Sequence, residues 1–199
     1  LTPEQIRAAV GRVDGDYIRQ NAATGRDWPS YGLNHAENRF SPLRAVNVDT
    51  VSQLGLAWSY DLGSKRGVQA TPVVVGGVMY VTASWSVVHA LNARTGERIW
   101  TFDPEVPREY GEKGCCDVVN RGVAVHRGKV YVASYDGRLF ALDAATGAKV
   151  WEKDTIIDRS RPYTISGAVR VFKNKVVIGN GGAEYGVRGY LTAYDAETG

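Results

Sequence analysis

ALDAATGAKVW, residues Ala141–Trp151, decides the fold because the chain nearly repeats it twice: ALNARTGERIW at Ala90–Trp100 and AYDAETG at Ala193–Gly199. The starting alanines at 90, 141 and 193 recur with a period of about 50 residues. A β-rich run precedes each copy: VMYVTASWSVVH, KVYVASYDGRLF and KVVIGNGGAEYGVRGYLT. The unit reads as strand, turn, strand, a Thr-Gly turn, then a strand at or near a tryptophan (RIWTFD, KVWEKD). LAWSYDLG, Leu56–Gly63, reads as the last strand of a preceding unit. The turn has a local logic. Asp143 or Asp195 can accept backbone N–H bonds, and Gly147 or Gly199 can take φ > 0 after it. Trp100 and Trp151 are expected to pack their rings between successive units. A period near 50 residues with about four short strands is the signature of a β-propeller blade. The expected class is therefore all-β, and three matching elements at constant spacing disfavour an unrelated β-sandwich.

Residues 1–50 lie outside the repeat and residues 51–199 carry the blades. Thr2-Pro3-Glu4-Gln5 resembles a helix start, with Thr2 as N-cap, Pro3 at the first position and Gln5 at the third. Ile6, Val10, Val13 and Tyr17 suggest one amphipathic helix. The following stretch, RDWPSYGLNHAENRFSPL, is expected to be irregular and to pack on the blades through Trp28, Tyr31 and Phe40. Rings of such blades close at about four to eight. With two complete repeats, partial ones flanking them and a last element stopping at Gly199, the chain is expected to be the N-terminal piece of something longer.

Composition narrows the function. A hydrophobic fraction of 44% with 23% charged residues suits a soluble globular protein. The formal charge is +3 without any Lys/Arg block, so nucleic-acid binding is not indicated. No apolar run approaches the roughly 18 residues that span a bilayer. The polar N-terminus is no signal peptide, which fits a mature form. No CxxCH occurs, so no c-type haem attaches to these residues. His35, His89 and His126 show no metal-ligand spacing, and His89 reads as structural. Nothing resembles a nucleophile elbow or a Walker A loop.

The only two cysteines are neighbours, Cys115-Cys116, in GEKGCCDVVNRG. Adjacent Cα atoms sit about 3.8 Å apart, below the roughly 4.4–6.8 Å of an ordinary disulfide. A bond between them closes almost no loop, so it would stabilise the fold little. Read alone, the pair is either a stiff, polarizable plate or two buried, reduced thiols packing as small hydrophobes.

GCCDVVNRG, the repeats ALDAATGAKVW and ALNARTG, and GGAEYGVRGYLTAYDAETG together resemble the quinoprotein alcohol dehydrogenases, most closely their soluble quinohaemoprotein branch. That resemblance implies an eight-bladed propeller, of which this chain holds the first three to four blades. It implies pyrroloquinoline quinone (PQQ) and calcium as cofactors, and periplasmic residence. Alcohol is the implied substrate, oxidised to aldehyde or ketone, with electrons passing to a cytochrome c. A haem c is implied only in a C-terminal domain beyond this chain. The cysteines are implied to be oxidised and to lie flat under the PQQ ring, where a polarizable plate matches a planar ring by dispersion. Arg121 matches the arginine at the quinone oxygens, where a guanidinium stabilises negative charge. Read without the family, it is a surface arginine paired with Asp117 or Glu112.

Gly181, Gly182 and Ala183 correspond to the backbone beside the PQQ carboxylates, and Glu184 to the calcium-ligand glutamate. Read alone, these are a tight β-turn and a solvated carboxylate. Calcium takes roughly six to eight oxygens, so one carboxylate implies weak binding at best. Two positions depart from the family. Gln69, in GVQATP, stands where a cofactor-contacting glutamate is usual and lacks its charge. Ser166, in TISGAV, stands where a threonine is usual. The implied catalytic aspartate and the remaining calcium ligand lie beyond Gly199, so no turnover is expected from the 199 residues alone. Two alternatives remain: a non-catalytic propeller scaffold that binds other proteins, and a sugar dehydrogenase of the same superfamily. The scaffold gives no reason for a cysteine doublet followed by Arg121. The doublet also argues against the membrane-bound sugar dehydrogenases.

Overall fold

A computed structural model describes all residues from Leu1 to Gly199. Three antiparallel sheets follow one another along the chain. The first is β1 (Val73–Val75), β2 (Val78–Thr82), β3 (Val88–Asn92) and β4 (Arg98–Phe102). The second is β5 (Ala124–His126), β6 (Lys129–Ala133), β7 (Arg138–Asp143) and β8 (Lys149–Asp154). The third has β9 (Arg170–Phe172), β10 (Lys175–Gly179) and β11 (Leu191–Asp195). Each sheet is ordered as its sequence runs, which is the up-and-down topology of propeller blades.

The repeats sit where their chemistry requires. Asp143 Oδ1 accepts from the N–H of Ala145 and Thr146 and from the Thr146 hydroxyl; Asp195 treats Glu197 and Thr198 identically. Gly147 and Gly199 then turn the chain at φ 73° and 71°. In both complete sheets a β-bulge falls inside the repeat, at Ala90/Leu91 and Ala141/Leu142, with the small alanine opposite Trp100 or Trp151.

Each tryptophan docks on the turn of the next sheet. The indole N–H groups of Trp58, Trp100 and Trp151 donate to the carbonyls of Ala93, Ala144 and Ala196 at 3.2, 3.0 and 3.1 Å. Tyr80 and Tyr131 donate their hydroxyls to the last two of these carbonyls. A Cβ on Gly96 or Gly147 would meet the docked ring at 2.6 or 2.7 Å, so glycine is required for contact as well as for φ. Trp58 therefore behaves as expected of a preceding unit. LAWSYDLG itself forms no strand, because no neighbouring strand of this chain offers it a ladder.

The N-terminal expectation needs two corrections. Thr2 caps the first helix with Gln5 in a full capping box and Pro3 leads it, but that helix, α1 (Pro3–Val10), stops at Gly11. A second helix, α2 (Gly15–Thr24), starts with Asp14 accepting from the Tyr17 N–H. Ile6, Val10 and Val13 still reach one core with the first two sheets. Trp28 exchanges two backbone bonds with Val74, and Tyr31 lies under Arg39 and Arg170, each 4.5 Å from its ring centre. Phe40, however, is 70% exposed. The chain passes through left-handed Glu37 and Arg39, and Arg39 rather than Phe40 turns onto Tyr31.

Candidate functional site

Sheet order places every expected site residue at one end of the strands. The segments leading into β1, β5 and β9, and the β2–β3, β6–β7 and β10–β11 connections, share that end; the Thr-Gly turns lie at the other. Gln69 precedes β1, Cys115, Cys116 and Arg121 precede β5, Ser166 precedes β9, and Gly181 to Glu184 lie between β10 and β11.

The three lead-in segments are hydrogen-bonded side by side. Thr71 N–H donates to Arg121 C=O at 3.1 Å, and Arg121 N–H donates to Ser166 C=O at 3.0 Å. The half-buried Arg121 guanidinium also donates to the Ser166 hydroxyl at 2.6 Å. It does not pair with Asp117 or Glu112, so the surface-pair reading of Arg121 is not the one adopted. Asn120, 2% exposed, supports this segment: its amide donates to Ala133 C=O and its carbonyl accepts from Gly122 N–H.

Cys115 and Cys116 form a disulfide and are exposed at this end, rather than being buried thiols. Beneath them Gly114 lies against Tyr135 and Thr164; a Cβ there would collide with the Tyr135 hydroxyl and sit 3.2 Å from Thr164 Oγ1. Thr164 also bridges to Gly181, whose N–H donates to Thr164 C=O at 2.7 Å. The cysteine segment and the glycine run thus share one supporting threonine. Burial pushes the Tyr135 phenol above its usual range, and the Asp117 and Glu184 carboxylates add to that shift. Gly182 adopts φ 109°, while Gly181, Ala183, Glu184 and Gln69 are exposed.

By sequence, Trp85, Tyr135 and Thr164 stand out only weakly, and Asp117 only as a partner for Arg121. One signal was available: ASW at Ala83–Trp85 and ASY at Ala133–Tyr135 occupy the same strand-end position in successive repeats. The histidines are structural in two cases. His89 and His126 are buried, and burial lowers both pKa values. His89 Nδ1 faces the hydroxyls of Tyr60 and Thr101.

The donor set suits a flat, anionic ligand. One guanidinium is held in place by Ser166, an exposed disulfide forms a plate, and Gly182 and Ala183, unlike Gly181, keep backbone N–H groups that are not spent within the chain. Calcium is different. No cluster of three or more His, Cys, Asp or Glu side chains exists to hold a metal, so these residues alone do not make a calcium site.

Residues 28–199 match the family described as "PQQ: Glucose/ethanol/alcohol dehydrogenase, beta-propeller domain". The chain is 65% identical, over 98% of its length, to a quinohemoprotein alcohol dehydrogenase of Comamonas testosteroni, whose crystal structure superposes with a TM-score of 0.97. It is 66% identical over 87% of its length to a 1-butanol dehydrogenase (cytochrome c) of Thauera butanivorans. A europium-containing methanol dehydrogenase superposes with a TM-score of 0.87 at 38% identity, over 92% of this chain and 32% of that one. The chain spans 28% and 25% of the lengths of the first two relatives. No helix is long and apolar enough to cross a membrane.

Proposed function

The chain belongs to the PQQ-dependent glucose/ethanol/alcohol dehydrogenase propeller family, and we propose from that premise that its protein oxidises alcohols with PQQ. The observation carrying this reading is the exposed Cys115–Cys116 disulfide on the same strand end as the Arg121–Ser166 pair. PQQ would supply the redox chemistry, taking two electrons from an alcohol.

The chain's own residues bind and orient. The disulfide offers a rigid, polarizable floor to a planar ring. Arg121, held by Ser166, offers a fixed positive charge to a developing oxyanion. Gln69 and the backbone N–H groups of Gly182 and Ala183 offer hydrogen bonds to carboxylates without adding negative charge, while Gly181 spends its N–H on Thr164 and anchors the run. Glu184 would offer one carboxylate to a calcium ion, whose remaining oxygens would have to come from elsewhere. Electron transfer to a cytochrome c is supported by the name of the Thauera relative, a 1-butanol dehydrogenase (cytochrome c). Periplasmic residence belongs to the same proposal. The chain's place at the N-terminal end of an eight-bladed ring, with residues 1–50 packed on blades 51–199, is likewise proposed.

The test is reconstitution of the full-length protein with PQQ and calcium. Binding should produce the visible absorption of bound quinone, and an alcohol should then reduce an artificial acceptor. Quinone binding without alcohol oxidation would overturn the substrate class. Absence of binding would overturn the reading as a whole.

A further inference from the structure

The segments on either side of the disulfide meet at one residue whose role in the site is not explained by contact with a ligand. Asp117 follows Cys116 directly and adopts φ 63°, a left-handed conformation that aspartate tolerates better than most residues. Its carboxylate accepts from the N–H of Val118 at 2.8 Å and forms an ion pair with Arg66. Val118 N–H, first, and then Arg66 hold that carboxyl below the usual carboxylate range, so it is ionised at neutral pH.

Arg66 belongs to the segment that carries Gln69, so this pair joins two lead-in segments that share no strand. Trp85 completes the junction. Its N–H donates to Val118 C=O at 2.8 Å, and it holds φ 63° in the β2–β3 connection. Arg66 and Arg108 lie 5.5 and 4.2 Å from its ring centre, and a Cβ on Gly111 would stand 3.1 Å from the ring edge. The two residues after the disulfide are therefore gripped from two segments: Asp117 by the Arg66 side chain and Val118 by a backbone bond from Trp85. Left-handed tryptophan and aspartate persist only where surroundings over-determine them.

We propose that Asp117 is a positioning residue: through Arg66 and the Trp85 contact to Val118 it locks the Cys115–Cys116 plate and the Gln69 segment in one fixed relation. This rests on the quinone reading only for its consequence; the lock itself is a property of the free protein. A locked plate presents its sulfurs to solvent in one pose, whereas a released loop samples poses that a reducing thiol attacks more easily.

The experiment compares wild type with Asp117→Asn, Arg66→Gln and the double variant in the full-length protein. The first readout is the rate of disulfide reduction by dithiothreitol, without cofactor. The second is the absorption of bound PQQ during titration with calcium present. Each single variant should be reduced several-fold faster, and the double no faster than the singles, because both act through one contact. PQQ affinity should fall about tenfold, with its absorption band shifted. An unchanged urea midpoint separates positioning from general destabilisation. Wild-type reduction rates in Asp117→Asn overturn the lock. Faster reduction in a protein whose wild type binds no PQQ supports the lock and overturns the quinone reading.

Discussion

The guanidinium of Arg121 donates to the hydroxyl of Ser166 at 2.6 Å, across two lead-in segments already joined by a backbone bond. A long cation at the rim of a site is thereby given one direction. A threonine at this position would keep the same hydroxyl and add only a methyl group.

Ser166→Ala should weaken PQQ binding about tenfold, the effect of losing one hydrogen bond to a charged group, roughly 1.5 kcal/mol. Ser166→Thr should retain wild-type affinity. Titration of the bound-quinone absorption checks both, and equal affinity of Ser166→Ala with wild type would remove Ser166 from the site.

Gly147→Ala should destabilise the fold by about 2–3 kcal/mol. Roughly 1 kcal/mol or more comes from φ 73° and the rest from displacing the Trp100 ring. Gly167→Ala, where a Cβ meets nothing within 4 Å and no positive φ is required, should cost well under that. Urea midpoints of the two variants give the comparison.

Reducing the disulfide should add two hydrogens to the intact mass and leave the unfolding midpoint nearly unchanged, because the closed loop is almost absent. Quinone binding should fall sharply at the same time. A large drop in midpoint would instead make the bond a staple of the fold.

Burial lowers the pKa of His89 first, with Arg98 adding to it, and likewise that of His126, with Arg127. Both are neutral in the folded state at pH values where the unfolded chain has begun to take up protons. Stability is therefore fully present above about pH 6.5 and declines as pH falls below it. His126→Gln should flatten part of that decline, read as urea midpoints between pH 7 and 5.

The two helices were the least legible elements. Ile6, Val10, Val13 and Tyr17 fit one helical stripe, and only Gly11 and the capping Asp14 break it in two. Phe40 misled because aromatic residues are normally buried, whereas left-handed Glu37 and Arg39 redirect the chain before it. Asp117 and Thr164 could not be ranked from sequence, since their partners are Arg66 and Gly181 in other segments. Trp85 and Tyr135 differ, for their shared place in the repeat marks them.

By itself the sequence determined the blade: its period, its Asp-x-x-Thr-Gly turn and the tryptophan after it. Each of these acts within a few residues or with its own repeat one period along. It also carried the family, through the cysteine doublet and the glycine run. Only the tertiary structure decided that Gln69, the disulfide, Arg121, Ser166 and Glu184 share one strand end, and that Arg66 meets Asp117 and Trp85 meets Val118 there. The physical reason is that antiparallel strand order assigns loops to ends, while contacts between segments depend on how whole sheets dock.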